Sequence, residues 1–299
     1  MKRLLKSHIA LLAWRLALLY AVLAICRAIF WRYNYAGIGP LADAELPALA
    51  RGALLFDTVS VLYANALLIV LSRIPLHLRE RRWWQRMLYF YYVVVNALLV
   101  VAVNLGDAVY FRYTQKRFTA EEIFFADNDN SLQLVGKFMA ENIPLLLAGI
   151  GLIALLALAG GRKARPEPLC RRPLCYYGGG TVLLVVAALL SVAGMRGGVT
   201  RMTRPVTLSN ATLYASDNAR ANLILSNPFC ILRTVGSGGK INYERYFAPE
   251  ELDGIYTPVH RPDSVGAAPL EGRNVVVFVM ESMSAEHSAH LHPELYADR

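Results

Sequence analysis

The chain has 299 residues, of which 56% are hydrophobic and only 18% charged, with a mean hydropathy of +0.36. Those values are too apolar for an ordinary water-soluble domain and imply several membrane spans. The formal net charge of +9 is no nucleic-acid footprint, because most of the excess sits in short segments beside apolar runs, where it reports membrane topology.

Five apolar segments predict transmembrane helices at 9–31, 53–72, 87–105, 143–158 and 179–193. A helix crosses the hydrocarbon core with ~20 residues, so the fourth and fifth are short spans. The first run is too long for a cleaved signal and lacks a small-residue cleavage site, so it is expected to stay as an anchor. Lys2, Arg3 and Lys6 precede it. The loop after the second span carries Arg73, Arg79, Arg81, Arg82 and Arg86 against Glu80, and the loop after the fourth carries Arg162, Lys163, Arg165, Arg171 and Arg172 against Glu167, a net of +4 in each. The alternate loops are neutral or acidic. That asymmetry puts the N-terminus in the cytoplasm and the C-terminal part outside. Trp31, Tyr33 and Tyr35, Trp83 and Trp84, and Tyr110, Phe111 and Tyr113 cluster at span ends, where amphipathic rings meet the interface.

Arg27 and Asp57 lie at a shared depth about a turn inside the outer ends of the first two spans. Two readings fit: an ion pair, or separate snorkelling to the headgroups. In the outer loop 107–119, Arg112, Lys116 and Arg117 alternate with aromatic residues. These bases either hold an anionic lipid headgroup or belong to an amphipathic segment that only anchors the third span. Glu121, Glu122, Asp127 and Asp129 follow with a spacing that fits no known cation loop, so they read as a solvated acidic face. Cys26, Cys170, Cys175 and Cys230 fit neither a disulfide framework nor a zinc site.

From 196 to 272 the chain turns polar and reads as an extracytoplasmic connector with short helices around 215–225 and no core of its own. It leads to Asn274-Val-Val-Val-Phe-Val-Met-Glu281-Ser282-Met-Ser284. Six apolar residues in a row suit a strand buried on both faces, as in a parallel sheet. Glu281 would then stand beyond the carboxyl end of that strand, where α/β sheets bind ligands and where a carboxylate can hold a hard cation. The plainer reading is a Glu that ends a core strand and faces water. Ser284 suits the cap of a helix over 285–292, and His287, His290 and His292 read as solvent-exposed.

Several stretches, in order, carry a family resemblance: Arg51-Gly52 with Phe56-Asp57; Asn104-Leu-Gly-Asp107 with Tyr110-Phe-Arg-Tyr-Thr114; Arg196-Gly-Gly, Arg204-Pro and Ser209-Asn-Ala; Asn227-Pro-Phe with Arg233-Thr234; and Asn274 to Ser282. Together they resemble the lipoteichoic acid synthase-like branch of the alkaline phosphatase/sulfatase superfamily, in a form like those of Gram-negative bacteria. The resemblance implies a five-helix transmembrane domain (1–195), a juxtamembrane connector (196–272) and, from 273 to 299, the first strand of an α/β sulfatase-like catalytic domain, in a bacterial inner membrane. It further implies a transferase that moves a phosphoglycerol-type headgroup from an anionic phospholipid donor to a glycan or lipid acceptor, with Mn²⁺ or Mg²⁺ held partly by Glu281. The nucleophilic Thr and an Asp-His ligand pair are expected beyond Arg299, so these 299 residues alone are expected to be inactive. The alternatives are a phosphoethanolamine transferase of the same plan and a non-catalytic membrane scaffold or lipid-binding module.

Overall fold

A computed structural model of the chain describes residues 7–120, 122, 140–162, 164, 166–168, 170, 172–200, 204–236, 247–256, 276 and 293. The chain divides into two compact units, Met1–Lys240 and Ile241–Arg299. Among the described residues the second unit contributes one helix, Pro249–Ile255, whose first turn is closed by the Glu251 carboxylate accepting the Ala248 N–H at 3.0 Å. The expected strand 274–280 lies outside the described residues apart from Val276, and among the described residues there is no strand, only an isolated bridge between Ser7 and Glu167.

Among its described residues the first unit is built of helices. Its elements are α1 (His8–Tyr33), the single turn α2 (Tyr35–Ile38), α3 (Leu46–Arg73), α4 (Arg82–Thr114), α5 (Ile143–Ala159), α6 (Leu174–Arg196), α7 (Asn218–Ile224) and α8 (Asn227–Thr234). Four of these, α1, α3, α4 and α6, are long and apolar enough to cross a membrane, and α5 is a shorter apolar helix. Such a set is compatible with a multi-pass membrane protein.

Three helices run well past the apolar segments that predict them, and α6, at 23 residues, is not the short span expected from 179–193. α3 begins at Leu46 rather than 53, with Pro47 in its first turn, where a missing N–H costs nothing. Arg51 interrupts the hydropathy, yet Leu49, Gly52 and Ala53 are buried, so packing carries the helix through the charge. α4 has 33 residues, about 50 Å of helix, which is longer than the ~30 Å of a bilayer's hydrocarbon core. Near its middle the turn widens to a π-helix over Ala97–Ala102, beside Asn96, whose amide pairs reciprocally with Asn65 of α3 at 2.9 and 3.0 Å. Two buried amides that satisfy each other can sit among Leu68, Val100 and Val101 without leaving an orphaned polar group.

The brevity of α5 has a local cause. Its last carbonyls have no intrahelical partners, and neighbouring helices supply them. Tyr89 Oη donates to Ala157 O at 2.7 Å, Trp14 Nε1 to Ala159 O at 2.8 Å and Arg15 Nε to Gly160 O at 3.0 Å. Arg15 is buried, with its guanidinium 5.4 Å from the Tyr92 ring, and its charge complements the negative end of the helix. α6 packs along α3, close enough that a Cβ on Gly194 would fall 2.3 Å from the Leu62 side chain. Its remaining faces leave Val182, Val185, Leu189 and Leu190 exposed, as a lipid-facing helix would.

Candidate functional site

The sequence reads 196–272 as a connector without a core, but α7 and α8 are built into one end of the bundle. Nine consecutive residues from Leu223 to Ile231 are buried. They pack on Leu49, Phe56 and Val59 of α3; the rings of Phe56 and Phe229 meet edge to face at 4.8 Å. Gly52 makes this approach feasible, since a Cβ there would stand 2.9 Å from Tyr214 and 3.1 Å from Ile224.

Two arginines hold the polar backbone of this insert. Arg27 of α1 forks onto Asp57 of α3, with Nη1–Oδ2 2.8 Å and Nη2–Oδ1 2.6 Å, and donates to Leu223 O at 3.0 Å and Ile224 O at 3.1 Å. The geometry selects the ion pair over separate snorkelling. Arg117 does the same from the loop after α4. That helix ends at Gln115 in the left-handed conformation, φ 55°, which turns the chain back along α4. Arg117 thereby reaches the Asp107 carboxylate and Leu225 O, while Asp107 Oδ1 accepts the Phe118 N–H at 2.7 Å. Its guanidinium lies 3.9 Å from the Phe30 ring centroid. Carbonyls 223, 224 and 225 terminate α7, and a cation at each is the partner that a helix C-terminus favours.

The adjoining residues complete the joint. Ser226 and Ser60 share a hydrogen bond of 2.7 Å. Asn227 donates its backbone N–H to Asn104 Oδ1 at 3.0 Å and its side-chain amide to Phe118 O at 2.9 Å. Thr234 Oγ1 accepts the Ala120 N–H at 2.8 Å. Burial pushes the Cys230 thiol up to about 12, so it is an inert apolar filler there.

The three bases expected at a lipid headgroup therefore part company. Arg117 is 5% exposed and committed to Asp107 and Leu225, so it is a packing residue with no face left for a headgroup. Arg112 and Lys116 are exposed; Arg112 lies 5.3 Å from the Tyr33 ring, and Lys116 Nζ is 3.4 Å from Glu122. Glu122 also accepts from Thr119 N at 2.7 Å, so it caps a turn, as the one described member of the expected acidic face.

Beside the joint, between α1 and α3, lies an open groove of about 340 Å³. Ala24, Ala28, Ala50 and Ala53 make it wide, and Trp31 and Arg27 bound it. Such a trough suits an alkyl chain, with a cation and an indole at its end to meet a polar head. Where α7 meets the start of α3, Arg220 donates to Glu45 Oε2 at 2.8 Å and to the Asp217 carboxylate. Hydrogen bonds from Ser216 and Arg220 hold the Glu45 carboxyl below its usual value, and the Arg220 backbone N–H, then its guanidinium, do the same for Asp217.

Glu281, Ser282, Ser284, His287, His290 and His292 lie outside the described residues. Among the described residues no three His, Cys, Asp or Glu side chains gather to hold a metal ion, and none of the four cysteines is in a disulfide. Compared with family models, curated proteins and solved structures, the chain finds no match.

Proposed function

We propose that this chain is the membrane anchor and opening catalytic segment of a metal-dependent, sulfatase-type transferase that takes a phosphoglycerol-type headgroup from a lipid donor. One observation carries the reading. Gly52, Phe56 and Asp57, Asn104 and Asp107, and Asn227, Phe229 and Thr234 come from three of the stretches on which the resemblance rests, and all eight take part in the single joint that fixes α7 and α8 to the bundle. A joint of this kind fixes α7 and α8 to one end of the bundle. A membrane span formed by α5, the cytoplasmic N-terminus and the extracytoplasmic connector belong to this reading, as do Glu281 as a ligand of Mn²⁺ or Mg²⁺ and a glycan or lipid acceptor. A hard cation on that carboxylate would neutralise phosphoryl oxygens and support an alkoxide nucleophile.

The test is headgroup transfer in membranes that contain the protein of the whole reading frame. Labelled phosphatidylglycerol is supplied and products are read by mass spectrometry. Activity is expected to vanish on chelation and return with Mn²⁺ or Mg²⁺, and Glu281→Ala is expected to lower it at least ~100-fold with membrane insertion unchanged. Transfer of phosphoethanolamine instead would replace the donor assignment, and undiminished turnover in Glu281→Ala would remove the metal role.

The groove favours a second reading, a non-catalytic lipid-binding scaffold. It predicts lipid retention in the 340 Å³ trough with no transfer under any metal condition.

A further inference from the structure

A second cavity, of about 120 Å³, lies at the end of the bundle opposite the joint. It is enclosed by the first turn of α1, the end of α3, the 3₁₀ turn His77–Glu80 and the opening turn of α6. Its lining has an unusual property. His8 Nε2, Arg73 Nη1, Arg79 Nε and the Tyr176 hydroxyl are buried there without a hydrogen-bond partner, and each of these residues is less than one-tenth exposed. Most buried polar groups in folded proteins are satisfied, so four orphans around one void mark a place built for something polar.

The chemistry of the four specifies what. All four are or can be donors, and two belong to guanidinium groups, whose planar forks match tetrahedral oxyanions. Among the described residues neither arginine has an ion-pair partner: Glu80 is exposed, lies 3.7 Å from His77 and has its carboxylate towards the Tyr176 hydroxyl, and Glu167 is exposed at the rim. Arg79 is further held by the Tyr176 ring at 4.7 Å, which itself stacks on His77. The N-termini of α1 and α6 both open on the void, adding their partial positive charge. The volume admits several waters or one oxyanion of phosphate size. On the rim, Ile9 and Leu183 are exposed apolar residues, placed to meet acyl chains.

We infer that this cavity binds a phosphate group through Arg73 and Arg79, with His8 and Tyr176 as supporting partners. The phosphate is that of a lipid headgroup or the free anion. The inference is independent of the transferase reading, since it uses no residue beyond Leu183 and lies away from the joint.

The experiment uses the whole chain purified in a neutral detergent. Thermal unfolding is followed with inorganic phosphate against chloride at equal ionic strength, and with short-chain phosphatidylglycerol against diacylglycerol of the same chain length. A phosphate-bearing ligand is expected to raise the midpoint by about 5 °C at saturation, and Arg73→Gln with Arg79→Gln to weaken its binding at least tenfold. Stabilisation by the phospholipid alone assigns a lipid headgroup; equal stabilisation by inorganic phosphate assigns the free anion. The exposed neighbours Arg81→Gln and Arg82→Gln are expected to change nothing. Should the double variant not fold, Tyr176→Phe, which removes one hydroxyl, is expected to weaken binding severalfold. A phospholipid that co-purifies would appear as a retained mass in native mass spectrometry of the parent and be lost from the variant. If phosphate and phosphatidylglycerol stabilise no more than their controls and no phospholipid is retained, or if Arg81→Gln weakens binding as much as the Arg73/Arg79 pair does, the cavity holds only water and the inference falls.

Discussion

Arg27 and Arg117 do similar work from different places, and their surroundings decide what each is worth. Each shares its guanidinium between a carboxylate and the carbonyls that end α7. Removing one member of a buried pair strands the other charge and costs about 3–5 kcal/mol. Arg27→Ala and Asp57→Ala are each expected to destabilise on that scale, while the double variant loses less than their sum by about 1–3 kcal/mol. Denaturation in mixed micelles measures the cycle, and strict additivity would mean that the two do not couple. Arg117→Ala is expected to cost about as much, whereas Arg112→Ala and Lys116→Ala stay within about 0.5 kcal/mol, because both side chains are exposed. The Arg27–Asp57 pair was open to a reader of the sequence because matched depth in two neighbouring spans narrows the choices. The burial of Arg117 was not. It depends on a left-handed Gln115 and on Asp107 ten residues back, and no periodicity records a chain reversal of that kind.

At the scale of elements, α7 and α8 show what composition hides. Asn227-Pro-Phe-Cys-Ile mixes polar and apolar residues, so hydropathy rates it as loop, yet Pro228 to Ile231 are buried and the two polar neighbours Ser226 and Asn227 are hydrogen-bonded to α3, α4 and the loop beyond. The signal available was the apolar run after Pro228, too short to separate a docked helix from a strand or a turn. α7 is also tied by the exposed cluster of Glu45, Arg220 and Asp217. Both carboxyls titrate below their ordinary values of 4.5 and 3.8. A depressed acid contributes stability above its unfolded pKa and loses it as pH falls through the folded one. Docking of α7 should therefore hold at pH 7 and weaken below about pH 4.5, by a modest amount for exposed pairs. Hydrogen exchange over 218–224, corrected for intrinsic rates, should quicken relative to α1 as pH drops from 6 to 3.5, and Arg220→Gln should remove that difference. The end of α5 offers a parallel case. Trp14→Phe with Arg15→Leu leaves Ala159 and Gly160 without their donors, and exchange of the amides in the last turn should rise about tenfold, while Arg112→Leu leaves it unchanged.

For the whole molecule, everything proposed about function depends on which end of the bundle faces which compartment. The long apolar helices were legible because a 20-residue apolar run has few alternatives, and the charged loops predict a direction. The cysteines make that direction measurable. Cys26 and Cys230 are buried, whereas Cys175 is exposed at the end where α6 begins, with Cys170 beside the same cavity. Leu213, 75% exposed at the other end, is a site for an added thiol. With the N-terminus inside, a membrane-impermeant maleimide should leave the parent chain unlabelled in intact cells and label it only after lysis. Leu213→Cys should then be labelled before lysis, by virtue of its exposure on the connector. Opposite accessibility would invert the topology: the joint, the groove beside it and the segment that leads to Glu281 would all face the cytoplasm. A phosphate site at Arg73 and Arg79 would survive that inversion with its leaflet exchanged, but an extracytoplasmic transferase would not.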